Sequence, residues 1–254
     1  MTRGLAIILL LLLNSCRAEG GNEPLVKLHQ FELGNSIIPV REHAGVKNSN
    51  IVFIQLHHDE QTAVASALAE VNASGGKFIS LENDGKRNVS FSQNGSAYRF
   101  DPNRIFSAAG REASLKALGN YAATAEKEVE RLSDFILMLI PREAQVIALH
   151  NNTDNRYCIE DYKAERKGDA LEVHINKNMD PDDFIFTTDP EVFSALSRED
   201  LNVVLQDNRN AKDDGSLSVW MGRQGRTYIN IEAEHGHIKE QERMLKAVVK
   251  ALEN

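Results

Sequence analysis

The run Ile51-Val52-Phe53-Ile54-Gln55-Leu56 stops abruptly at His57-His58-Asp59-Glu60. Six large and mostly apolar residues without polar alternation predict a strand buried on both faces, as inside a parallel or mixed sheet. In open α/β sheets, ligands sit at the carboxyl ends of such strands. His57 and Glu60 are three apart, a spacing that lets two side chains converge on one divalent ion as the chain leaves the strand. Alone, His-x-x-Glu more often marks a polar loop, so the rest of the chain must supply the context.

The spacing of apolar residues and turn signals supplies part of it. An Ala-rich periodic stretch at 62–71 predicts a helix that stops at Ser74-Gly75-Gly76. A strand follows at 77–81, and segments 89–91 and 97–100 flank Gln93-Asn94-Gly95, a hairpin signal. After Asp101-Pro102 the longest helical pattern runs over 114–140, with an interruption near Gly119 and an end at Pro141. Residues 145–149 form a second buried run, and it too ends on a histidine, His150. Beyond it come a strand at 184–187, a helix at 190–196, a strand at 202–206 and a turn at Asp213-Asp214-Gly215. A strand at 227–233 and an amphipathic helix at 239–252 close the chain. Strands alternating with helices predict an α/β fold, here one domain over 49–254 with a mixed, largely parallel central sheet flanked by helices. The 254 residues, 42% of them hydrophobic, are enough for one such core.

The N-terminus carries Arg3 and then an uncharged apolar stretch over 5–13, which predicts an export signal. That stretch is too short to span a bilayer. It leads into Leu13-Asn14-Ser15-Cys16, which resembles a bacterial lipobox, with Cys16 as the lipidated residue; ordinary cleavage near Ala18 or Gly20 is the alternative. Residues 1–16 are thus read as the signal and 17–48 as a polar lead with one short strand around 36–40. The expected location is outside the cytoplasm, periplasmic or membrane-anchored, with membrane contact only through the N-terminal lipid. With Cys16 lipidated, Cys158 has no partner, and a small buried residue is its simplest role. The formal charge of −8, without a basic block, excludes a nucleic-acid partner. An acidic chain that acts on an acidic substrate must concentrate its arginines locally.

Two imidazoles and a carboxylate at the ends of two buried strands make a three-ligand catalytic zinc set, His57, Glu60 and His150, that leaves a fourth position for water. Between them lies Asp101-Pro102-Asn103-Arg104-Ile105-Phe106, and near the end Ile231-Glu232-Ala233 leaves a strand. With Leu149-His150-Asn151-Asn152-Thr153, these segments resemble, in order and separation, the metallocarboxypeptidase-like zinc hydrolases. Within them the likeness is to the aspartoacylase and succinylglutamate desuccinylase branch. It spans roughly residues 51–236. The resemblance implies a Zn2+ cofactor, Glu232 as general base, and Asn103 and Arg104 as holders of a substrate carboxylate. It also implies cleavage of an amide next to a free carboxylate, in a small peptide such as a cell-wall stem or in an N-acyl amino acid. The alternative is a lipoprotein that keeps the zinc fold, has lost turnover and binds peptides.

Two departures stand out. His58 occupies the position where the resemblance expects glycine, and Glu232 is followed by Ala233-Glu234 instead of a glycine motif. Glu234 shares a strand face with Glu232, because side chains alternate with period two, so either carboxylate is open as the base and the resemblance favours Glu232. Arg87 and Arg99 would each supply a second cation, but a surface strand position explains both. His58, His235 and His237 are candidates to support the ligands or to act as a general acid, though an ordinary hydrogen-bonded histidine is the simpler reading of each. Asp59 reads as a loop carboxylate and Phe106 as core.

Overall fold

The computed structural model describes residues 24–153 and 156–253; the expected export signal over 1–16, with Cys16, lies outside the described residues. β1 (Leu25–Leu33) and β2 (Ser36–Ala44) form a hairpin, followed by β3 (Ile51–Gln55), α1 (Gln61–Ser74) and β4 (Lys77–Leu81). A separate two-stranded hairpin comprises β5 (Val89–Gln93) and β6 (Ser96–Phe100). Next come α2 (Ala108–Leu118), α3 (Ala123–Leu139), β7 (Gln145–Asn152), β8 (Ala170–His174) and β9 (Phe184–Thr187). α4 (Pro190–Arg198), β10 (Val203–Gln206), α5 (Leu217–Arg223), β11 (Tyr228–Glu234) and α6 (Ile238–Leu252) complete the described chain.

Nine strands make one mixed sheet in the order β1-β2-β4-β3-β7-β11-β9-β10-β8. Its centre is parallel, with β4, β3, β7 and β11 running alike, and the outer pairs β1/β2, β2/β4, β11/β9 and β10/β8 are antiparallel. This is the single α/β domain expected from the alternation of strands and helices. All five residues of β3 are buried, and they feed two cores in turn. Val52 and Ile54 pack with Val129, Leu132 and Ile136 of α3, while Ile51 and Phe53 pack with Ala63, Ala67 and Val71 of α1 and with Met244 and Val248 of α6. Burying each such side chain contributes about 1.5–3 kcal/mol, so β3 is pinned from both faces.

Some elements differ from the sequence reading. The lead 17–48 contributes a nine-residue hairpin pair to the main sheet instead of one short strand. β1 hides in the sequence because it lies at the sheet edge, where Leu25, Val26 and Leu28 are exposed and polar residues need no alternation. The long helical pattern divides at Gly119 as expected, into α2 and α3, but α2 begins at Ala108, ahead of the expected start at 114. β8 and the seven-residue α5 carry too little periodicity to be read.

β3 hands the chain through α1 to β4 on one side, while β7 flanks β3 on the other. That reversal of strand order opens a crevice at the carboxyl ends of β3 and β7. One close approach shapes its rim. Gly215, at φ +78°, lies so near Arg104 that an added Cβ would fall 2.4 Å from the Arg104 carbonyl oxygen, and a Cβ at Gly110 would meet the Gly215 Cα at 2.3 Å. Only glycine lets these three segments touch.

Candidate metal centre

His57 leaves β3, Glu60 immediately precedes α1, and His150 lies within β7, the strand beside β3. All three are buried. His57 Nδ1 is 3.0 Å from Glu60 Oε1 and 3.2 Å from His150 Nδ1, and His150 Nδ1 is 2.8 Å from Glu60 Oε2. Tetrahedral zinc holds nitrogen at about 2.0–2.1 Å, which separates its ligand atoms by little more than these distances. The donor set fits the ion. Two ring nitrogens facing each other beside a buried carboxylate need a positive charge between them, either protons or a metal, so binding a metal would release protons.

The surroundings support that role. His57 Nε2 donates to Asp101 Oδ1 at 2.8 Å, which fixes the ring and leaves Nδ1 turned to the triangle. Asp101 is itself held by the Asn103 amide, which donates to the same oxygen. Burial disfavours charge on His57, but the Glu60 charge and the hydrogen bonds to Asp101 and Glu60 outweigh it and lift the imidazole to about 9. Burial likewise pushes Glu60 up, and the adjacent His150 and His57 hold it well below the usual carboxylate range instead. Asp101 is pushed up by burial and pulled lower still by His57. These are the marks of a cluster built to carry one extra positive charge.

Glu232 stands opposite His150 in the parallel β7/β11 register. It is buried, accepts a hydrogen bond from Asn230 Nδ2 at 2.9 Å, and lines the same cleft of about 440 Å³ as the three ligand candidates. Burial raises its pKa, the His150 charge opposes this and the Glu60 charge reinforces it. Glu234 does not line that cleft. It sits half-buried with its carboxylate 3.5 Å from His237 Nε2, and His237 Nδ1 faces the buried Asp183 at 3.1 Å.

Arg104 lines the cleft with its Nη1 3.3 Å from Asp214 Oδ2. Asn103 also lines it, but its Oδ1 accepts the Leu217 amide at the start of α5, so that oxygen has a structural partner. The cation that sequence reading set aside is the better placed one: Arg87 donates to Glu60 Oε1 at 2.7 Å and comes within 3.9 Å of Asp101 Oδ2. Arg99 donates to the Leu118 carbonyl and is structural. Phe106 is core. Cys158 is half-buried, not buried, with its thiol pushed up by burial and its Sγ 3.7 Å from Asp161 Oδ1. His235 lines the cleft.

Beyond Glu232 the cleft is lined by residues that sequence reading gave no role. Tyr157 and Tyr162 share a hydrogen bond between their hydroxyls, and Arg166 lies 5.0 Å over the Tyr157 ring. Three amide oxygens on cleft-lining residues, Asn152 Oδ1, Gln206 Oε1 and Asn230 Oδ1, are buried without a partner among the described residues. Their orientation is fixed by their own nitrogens. Asn152 Nδ2 donates to the Asp182 and Tyr157 carbonyls, Gln206 Nε2 to Asn208 Oδ1 and the Ser218 carbonyl, and Asn230 Nδ2 to Glu232. Flipping any of them would turn a donor away from an acceptor.

No family model and no curated protein matches the sequence. Among solved structures, the chain is similar to the murein-tripeptide amidase of Escherichia coli O157, at 16% identity over 94% of this chain and 97% of that one, with a TM-score of 0.48. It is also similar to a succinylglutamate desuccinylase/aspartoacylase from Rhodobacter sphaeroides, at 12% identity over 93% and 68% of the respective chains, with a TM-score of 0.47. Likeness at this level says nothing about chemistry, which is read from the side chains.

Proposed function

We propose that the protein is a zinc-dependent amidohydrolase that cleaves an amide bond next to a free carboxylate. The observation that carries this reading is the triangle of His57, Glu60 and His150, in which each pair of side chains approaches to 3.2 Å or less, with Glu232 in register on the next strand. Zinc held there supplies Lewis acidity, bringing the pKa of a water to about 7 and polarising the scissile carbonyl. Glu232 is the residue to accept the water proton and return it to the leaving nitrogen, as a general base and then acid. Arg104 pairs a substrate carboxylate, exchanging Asp214 for it at the half-exposed rim, and Asn103 braces the segment that carries it. A binder that has lost turnover has no need of a buried carboxylate placed beside the ligands, which weighs against the non-catalytic alternative.

The unpartnered amide oxygens support a peptide substrate over a simple N-acyl amino acid. Buried acceptors ask for donors, and a peptide brings several N–H groups where an N-acyl amino acid brings one. Export, read from residues 5–13 and Cys16, favours the same substrate, a cell-wall stem peptide handled outside the cytoplasm by a periplasmic or lipid-anchored enzyme. The test is zinc content of the purified protein beside hydrolysis of stem peptides, N-acyl amino acids and their carboxamides. We expect one zinc per chain and turnover of the free acids. Arg104→Ala should abolish the preference for acid over carboxamide, and Arg104→Lys should weaken it, because an ammonium lacks the guanidinium fork. Full zinc occupancy with no turnover of any amide would return the protein to the binding alternative.

A further inference from the structure

His58 stands where the resemblance expects glycine, and the structure gives its side chain a task that glycine cannot perform. His58 Nδ1 accepts two backbone N–H groups from the loop between β4 and β5, those of Asn83 at 2.6 Å and Gly85 at 3.2 Å. Glu82 anchors the start of the loop through the Pro39 carbonyl and Arg41, whereas the tip at 83–86 is tied to the rest of the protein through His58. Asp84 and Gly85 adopt positive φ angles of 49° and 68°, residues 84–87 are exposed, and a Cβ built at Gly85 would meet nothing within 4 Å. Asn83 in turn clamps the loop from within, its Nδ2 donating to the Lys86 and Asn88 carbonyls at 3.1 and 2.7 Å. Between those two carbonyls is Arg87. Its half-exposed side chain reaches back to Glu60. A long flexible side chain in contact with water keeps one geometry only if its backbone is held.

We propose that His58 is a positioning residue that latches the 82–88 loop through its ring nitrogen and thereby fixes Arg87 over the metal centre. The chain of contacts is short and continuous: His58 to the Asn83 and Gly85 amides, Asn83 to the carbonyls on either side of Arg87, and Arg87 to Glu60. Because His58 directly follows His57, the loop is tied to the same backbone that presents the metal. Arg87 therefore moves with the centre and is not left to the mobility of a surface turn. Its positive charge adds to Arg104 in drawing an anionic substrate into the cleft. That consequence rests on the proposed metal-centre function, whereas the latch itself does not.

The test has two independent readouts. In the wild-type protein, with or without zinc, an N–H···N hydrogen bond should give a measurable coupling by NMR between His58 Nδ1 and the Asn83 amide nitrogen. Amide exchange at Asn83 and Gly85 should rise at least about tenfold in His58→Leu, the loss of roughly one hydrogen bond. It should stay protected in His58→Asn, whose Oδ1 falls close to the ring nitrogen. The second readout is succinate affinity of the zinc-loaded protein. His58→Leu and Arg87→Ala should each weaken it about tenfold, as expected for one charge-assisted contact. The double variant should be no weaker than Arg87→Ala alone. Absence of the coupling, or protection at Asn83 and Gly85 that survives His58→Leu, would overturn the latch. Additive losses in the double variant would overturn its action through Arg87. If wild type binds no zinc, the metal-centre reading fails while the coupling and exchange still decide the latch.

Discussion

The two walls of the cleft are built on opposite rules. On the β3/β7 side the ligand atoms turned to the triangle are all paired: His57 reaches Asp101, Glu60 and His150, and Glu60 reaches Arg87 as well, although Gln55 and Asn152 on these strands each leave an oxygen unpaired among the described residues. On the β11/β10 side, Asn230 and Gln206 each leave an oxygen unpaired among the described residues. A closed network holds one ligand in one geometry; an open set of acceptors waits for whatever brings donors. The contrast teaches that, under the proposed function, metal affinity and substrate choice would be set by different walls, and the expected effects of substitution test that separation.

The largest effect belongs to the ligand wall. His57→Ala and His150→Ala should each lose zinc to background by elemental analysis while circular dichroism shows the fold retained, since the sheet cores do not depend on either ring. Full zinc retention in both variants would remove the centre. Next is Glu232→Gln, which keeps shape and a hydrogen-bonding group but cannot take a proton. Turnover should fall by about 10²–10⁴-fold with zinc content unchanged. Glu234→Gln, outside the cleft, should act like wild type; a collapse there with Glu232→Gln active would exchange their roles. Asp101→Asn should weaken zinc by about 10–100-fold, measured by competition with a chelator. If it changed turnover but not zinc affinity, the contrast between the two walls would break, because a ligand-wall residue would then be serving the substrate.

The smallest effect is on stability and requires the metal to be removed. In the chelator-treated protein His57 is raised to about 9 from an unfolded value near 6.5. A raised pKa means the folded state holds the proton more tightly, so this stabilisation is complete below about pH 6.5 and is lost as pH rises through 9. Glu60, held low, contributes the opposite way: its stabilisation is present above about 4.5 and is lost on acidification. Thermal melts of the metal-free protein should therefore drop between pH 6.5 and 9, by on the order of 5 °C, and His57→Ala should flatten that slope. An equal slope in His57→Ala would assign it elsewhere.

The sequence announces the parts of the site that sit on regular structure. His57 and His150 each follow a run of buried strand residues, and a buried run that ends on an imidazole is visible without coordinates. Glu232 is visible as a strand carboxylate that the resemblance favours over Glu234, but strand alternation does not separate the two, because both share a face and only the neighbouring strand ends decide which one is enclosed. Arg87 is invisible for a different reason. Its backbone lies on an exposed loop and its importance comes from reach, and no period in a sequence encodes where a long side chain lands. Asp101 shares that difficulty, since its partner His57 is 44 residues away. Tyr157, Tyr162 and Arg166 lie in short turns whose placement is set by packing on Phe184 and Phe186.

The register between β7 and β11 has one further consequence. Because Glu232 is placed by a ladder of backbone hydrogen bonds, its location relative to His150 is quantised. A one-residue slip would turn the carboxylate through the sheet into the α1/α6 core, and a two-residue slip would carry it roughly 6.6 Å along the strand. No intermediate position exists. The gap between Glu232 and His150 is thus as rigid as the sheet itself, and chain-length changes reach it only by whole pleats, while the loops around the cleft stay free to vary in length.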